Sequence, residues 1–85
     1  MSKVIMLTQN NCPKCVALKS YLELGLRNKY ENHIEVIRRE DNPSLFMDYV
    51  SKYDIMSTPV LISGEDVLVD TQPSKVSTFL ELQVG

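Results

Sequence analysis

Two thiols, Cys12 and Cys15, stand three residues apart with Pro13 and Lys14 between them. An apolar run, Val4-Ile5-Met6-Leu7, precedes them, and a helical pattern through Val16, Leu18, Tyr21 and Leu22 follows. That spacing at a strand-to-helix junction has a chemical use. The first turn of a helix offers unpaired N–H groups and the positive end of the macrodipole, and both favour a thiolate over a thiol. Cys12 is predicted at the N-cap and Pro13 at the first helical position, where its missing N–H costs nothing. The N–H groups of Lys14 and Cys15 are then free to face the Cys12 sulfur, and the Lys14 ammonium either adds to that field or points into water.

Other uses of the pair carry less weight. A structural disulfide stabilises mainly by closing a loop in the unfolded chain, and so short a loop is worth roughly 2 kcal/mol, against about 3 kcal/mol for a fifteen-residue one. A structural zinc site needs four ligands, of which one such motif supplies two. The lone His33 is distant in sequence and reads as an ordinary strand or loop residue. Redox exchange is the leading expectation, ahead of a metal shared between two chains and of idle thiols.

The chain that positions these thiols has 85 residues, enough for one domain with a small core. It is 44% hydrophobic and 24% charged, as ordinary globular domains are. A formal net charge of −2, with no basic cluster larger than Arg38-Arg39, argues against nucleic acid as a partner. Met1-Ser2-Lys3 leads into a short apolar stretch, with neither a signal-peptide core nor a membrane span. These features and the isolated thiol pair lead us to expect a cytoplasmic monomer with no membrane association.

Lys3 to Thr8 reads as a strand apolar on both faces and hence central in its sheet. The helix from Pro13 is expected to continue to about Asn28, with Gly25 as either an interior glycine or a C-cap. Its apolar residues, which include Ala17, Leu24 and Leu26, exceed what one buried stripe needs. His33 to Arg38 reads as a second strand. Asn42 is a plausible N-cap for a helix from Pro43, with Leu45, Phe46, Tyr49, Val50 and Tyr53 as its buried stripe. Val60 to Ile62 and Val67 to Val69 read as antiparallel strands joined at Gly64-Glu65, a pair suited to a type II′ turn. Pro73 opens a last helix that packs through Val76, Phe79, Leu80 and Val84. Pro59, unlike Pro13, Pro43 and Pro73, heads a strand instead of a helix, a placement that demands a reason. The order β-α-β-α-β-β-α predicts an α/β protein with helices on both faces of a four-stranded mixed sheet, its first two strands parallel.

Cys12-Pro13-Lys14-Cys15 after the first strand, the element order, and Thr58-Pro59 about forty-five residues later together resemble the glutaredoxins and the small glutaredoxin-like thioredoxins. The resemblance covers essentially the whole chain. It implies a thioredoxin-like sheet in the order 2-1-3-4, with strand three antiparallel to strand one. It also implies a cis Thr58-Pro59 bond beside the thiols. Cys12 resembles the nucleophilic thiol, Cys15 the resolving thiol, and Thr58 the residue whose backbone pairs with substrate. The implied activity is reduction of protein disulfides through a redox-active Cys12–Cys15 pair, with no organic cofactor and with electrons from glutathione or a thioredoxin-reductase-type partner. Ribonucleotide reductase is a common client of such proteins.

Three departures stand out. Glutaredoxins usually carry Gly-Gly and then an acidic residue before the last helix, where this chain has Val69-Asp70-Thr71-Gln72. They often place a basic residue shortly before the first Cys, where this chain has Thr8-Gln9-Asn10-Asn11. Thioredoxins proper have Trp-Cys-Gly-Pro-Cys, and this chain has no Trp. The first two weaken the case for glutathione. Asp70 and Thr71 remain candidates for substrate contact, beside Pro13, Lys14, Thr58 and Pro59, although an Asp leaving a hairpin is more often a cap. Met56 reads equally as part of an apolar platform or as a half-buried core residue, and Tyr21, Tyr49 and Tyr53 read as packing residues. The alternative of another class is a non-catalytic binding module, or a dimer bridged by metal through the two thiols.

Overall fold

The computed structural model describes residues 4–84. Strand β1 (Val4–Thr8) lies between β2 (Ile34–Arg38), to which it is parallel, and β3 (Val60–Ser63), to which it is antiparallel. Strand β4 (Asp66–Leu68) completes the sheet in the order β2-β1-β3-β4. Helices α1 (Pro13–Ser20), α2 (Pro43–Tyr53) and α3 (Pro73–Gln83) flank it. This is the α/β architecture expected, a four-stranded mixed sheet with the element order and topology of a thioredoxin-like fold. Lys3, where the first strand was expected to begin, lies outside the described residues.

The period-two alternation of the strands sorts the core into two layers. Val4, Met6 and Leu61 face Leu18 of α1 and Val76 and Leu80 of α3. Leu7, Val60 and Ile62 face Phe46 of α2, with Leu45, Tyr49, Val50 and Tyr53 packed alongside. Apolar side chains on both faces of β1 and β3 put these two strands in the centre, and the shorter or more polar β2 and β4 take the edges.

Each helix begins on a proline, as the sequence predicts. Asn42 caps α2, its side-chain oxygen accepting from Leu45 N at 3.3 Å. The β3–β4 turn is the two-residue link expected: Ser63 pairs with Asp66, and Gly64 takes a φ of +61° while Glu65 stays out of the positive-φ region. A type II′ turn has that pattern, and glycine adopts it without steric cost.

Beyond one-residue extensions of β3 to Ser63 and of β4 back to Asp66, three boundaries differ from expectation. The α-helix from Pro13 does not reach Asn28: it passes at Tyr21 into a π-helical turn, Tyr21–Gly25. Arg27 and Asn28 then adopt left-handed conformations, with φ of 52° and 56°. Gly25 is the last residue of the helical run, with Leu26 at the C-cap, and a Cβ at Gly25 would stand 2.5 Å from the Tyr21 ring that lies over it. His33 belongs to a 3₁₀ turn, Glu31–His33, and not to β2. Val69 falls beyond β4 and is 56% exposed. The surplus of apolar residues after Pro13 is resolved by exposure, since Val16 and Leu24 face outward.

Leu18 is the residue that seats α1 on the sheet, at 2% exposure. Leu18→Ala is expected to cost about 2–5 kcal/mol of stability. The measurement is the denaturation midpoint, and an unchanged midpoint would mean that α1 is held by other contacts.

Candidate active site

The carboxyl end of β1 delivers the chain to the thiols, and contacts from the segment after β2 fix the intervening loop. Arg39 N donates to Thr8 O at 3.0 Å, and Asn10 N donates to the Glu40 carboxylate at 3.0 Å. That N–H, with help from Arg38 and Arg39, holds the Glu40 carboxyl below its ordinary range. Asn11 then turns the chain at φ 56°, a left-handed conformation that Asn tolerates better than most residues.

Cys12 is the N-cap of α1, in an extended conformation, and its sulfur accepts from Cys15 N at 3.2 Å. The first turn of α1 contains no acidic side chain to neutralise its positive end. Cys12 and Cys15 are joined in a disulfide. The two sulfurs are not equivalent, for Cys12 is partly accessible whereas Cys15 is 4% exposed.

The Thr58–Pro59 bond is cis, as the resemblance implies, and this segment lies against the disulfide. The Thr58 carbonyl oxygen is 3.6 Å and its hydroxyl oxygen 3.5 Å from Cys12 Sγ. While the disulfide is closed, Cys12 has no proton to donate, so only the hydroxyl can act as donor between these atoms. Pro59 is buried, and Met56, three residues earlier, is 97% exposed. Of the two expectations for Met56, a place in the core is therefore excluded.

Lys14, Thr58, Pro59, Asp70 and Thr71 line one cleft of about 620 Å³, with Tyr21 and Pro73. The structure thus gathers the proposed substrate-contact residues other than Pro13, which is exposed at the start of α1. Asp70 does not cap α3, whose N-cap is Gln72. Its carboxylate accepts from Lys75 Nζ at 2.7 Å, and this bond holds the Asp70 carboxyl below the usual range, with the Gln72 backbone N–H two residues on, as in a capped turn, and the charge of Lys14 as weaker contributions. A second cavity, of about 530 Å³, opens on the thiols between α1 and β2 and has Val16, Val36 and Arg38 in its walls.

Two residues that the sequence did not single out belong to the site. Gln9 Nε2 donates to Thr58 Oγ1 at 3.0 Å, and Arg39 Nη1 donates to Gln9 Oε1 at 3.4 Å. A cation other than Lys14 thereby joins the group around Cys12. The partners are 49 and 30 residues apart in sequence, so no local pattern announces them. Among the described residues, no cluster of three or more His, Cys, Asp or Glu side chains is arranged to hold a metal. The three tyrosines pack as expected: Tyr21 against the α1 layer, Tyr49 stacked on Tyr53, and Tyr53 Oη donating to Gly64 O at 2.7 Å.

Compared with known proteins, the chain matches no protein-family model and no curated protein.

A depressed carboxyl favours folding above its unfolded value, and that contribution is lost as pH falls through the folded value. The Asp70–Lys75 pair is accordingly intact at neutral pH and opens in acid. In an NMR titration of side-chain carboxyls, Lys75→Met should move the Asp70 midpoint upward toward the ordinary aspartate range. An unmoved midpoint would assign the depression to another group.

Proposed function

We propose that this protein is a dithiol thiol–disulfide oxidoreductase of the glutaredoxin-like type that reduces protein disulfides in the cytoplasm as a monomer. The observation that carries the proposal is the Cys12–Cys15 disulfide at the start of α1, with the Cys15 N–H on the Cys12 sulfur and Thr58-Pro59 against it. Among the described residues, no helix is long and apolar enough to cross a membrane.

In the reduced protein, the Cys12 thiolate attacks one sulfur of a client disulfide. A mixed disulfide forms and the client's other sulfur leaves as a thiolate. Cys15 then attacks Cys12 Sγ, the Cys12–Cys15 bond closes, and the client's second thiol is released. Two electrons pass to the client, and an external thiol system returns them. Unequal exposure supports the order, because the accessible sulfur can meet a large client and the shielded one waits behind it. Lys14, Thr58, Asp70 and Thr71 contact the client in the cleft, next to exposed Pro13 and Met56. Ribonucleotide reductase is one candidate client.

Glutathione is a secondary reductant in this proposal. A tight site for its γ-glutamyl end needs backbone that can approach closely, where glycine leaves room. Here Val69, Asp70 and Thr71 carry side chains into that turn, and Asp70 is already paired with Lys75. Losing charge-assisted contacts costs ~1.5–3 kcal/mol each, or about ten- to a hundredfold in affinity.

Two measurements test the proposal. Cys15→Ser should trap mixed disulfides with client proteins and Cys12→Ser should not; the reverse pattern would exchange their roles, and trapping by neither would remove the activity. A thioredoxin-reductase system with NADPH should regenerate the oxidised protein faster than millimolar glutathione with glutathione reductase. Equal or faster turnover with glutathione would make this a plain glutaredoxin.

A further inference from the structure

The Thr58 hydroxyl stands between two partners. It accepts from Gln9 Nε2 at 3.0 Å and lies 3.5 Å from Cys12 Sγ. Gln9 in turn accepts from Arg39 Nη1 at 3.4 Å through its own amide oxygen. The direction of every bond in this row follows from its first member. A guanidinium has donors and no acceptor, so the Gln9 oxygen must face Arg39 and its NH₂ must face Thr58. A hydroxyl has one proton, and the Thr58 oxygen, already accepting from Gln9, keeps that proton for the sulfur.

We propose that Gln9, oriented by Arg39, is a positioning residue that turns the Thr58 hydroxyl proton onto the Cys12 sulfur and so stabilises the Cys12 thiolate. The inference rests on Cys12 being the attacking thiol. It gives the sulfur a second donor from outside its own helix, in addition to Cys15 N at 3.2 Å. The Thr58 carbonyl, at 3.6 Å, works the other way, since it can only accept from a protonated thiol. The hydroxyl row therefore decides which protonation state the Thr58 segment favours.

The charged groups near Cys12 come from several segments. Lys14 follows it in α1, Lys19, Glu23, Glu31 and Arg38 line the cavity that opens on it, and Arg39 and Glu40 come from the segment after β2. Arg38 is paired with Asp41, and Glu40 accepts from Asn10 N. Arg39 is exposed and Gln9 half-buried, so replacing either leaves both core layers intact.

The test is the thiolate absorbance of the reduced full-length protein against pH, in a Cys15→Ser background so that Cys12 is the thiol that titrates. Thr58→Val and Gln9→Leu should each lower the thiolate fraction below the midpoint by about three- to tenfold, and Arg39→Met by less. Gln9→Leu combined with Thr58→Val should shift the midpoint no further than Thr58→Val alone, because Gln9 acts through the hydroxyl. A simple structural disturbance would instead add. An unmoved midpoint in Gln9→Leu, or additive shifts in the double variant, would overturn the inference. Should Thr58→Val fail to fold, Arg39→Met in the Gln9→Leu background decides: no further shift supports the relay, and a full one shows that Arg39 acts through space. Disulfide reduction by the unaltered protein is measured separately. Its absence would remove the oxidoreductase proposal while the titration still decides the relay.

Discussion

The N–H of Cys15 pointing at the sulfur of Cys12 is the interaction on which the arrangement depends. It exists because α1 starts at Pro13, directly after the left-handed Asn11 and the extended Cys12, and because Leu18 seats the helix on the sheet. The loop before it is held from the far side of β1, by Arg39 N on Thr8 and by Glu40 on Asn10 N. A reactive sulfur needs this fixed field, since dipoles that must reorganise on ionisation stabilise a charge less than dipoles already in place.

Around that sulfur the surface is divided by chemistry. On the side of β4 and α3, the cleft holds Asp70, paired with Lys75, and the Lys14 ammonium. Val69 lines it as well, and the exposed Met56 stands beyond it.

Much of this was legible in the sequence because it is local. Three prolines at helix starts, the alternation of β1 and β3, and the Gly64-Glu65 turn all follow from the backbone preferences of a few adjacent residues. Cys12 and Cys15 are legible for the same reason. The π-helical turn was not, since the apolar pattern from Pro13 reads as plain α-helix through Tyr21–Gly25, where the structure widens the turn and then takes Arg27 and Asn28 left-handed. Gln9 and Arg39 were illegible for another reason. Each is an unremarkable polar residue until the sheet brings β1, the segment after β2 and Thr58 together. Asp70 shows the same limit: its position suggested a helix or turn cap, and the placement of Lys75 on α3 added an ion pair that no local pattern announces.

Because Cys12 is the N-cap of α1, one sulfur atom belongs both to the architecture and to the redox couple. A charged acceptor holds an N–H more strongly than a neutral one, so opening the disulfide to a thiolate changes how firmly the first turn is held. Folding and reduction then form the sides of one closed thermodynamic square. Whatever the fold adds to the stability of the reduced form over the oxidised form appears, with the same magnitude, as a more oxidising potential than that of the unfolded chain. The electron affinity of the pair is in this sense a property of the whole helix start, and residues that never approach either sulfur share in setting it.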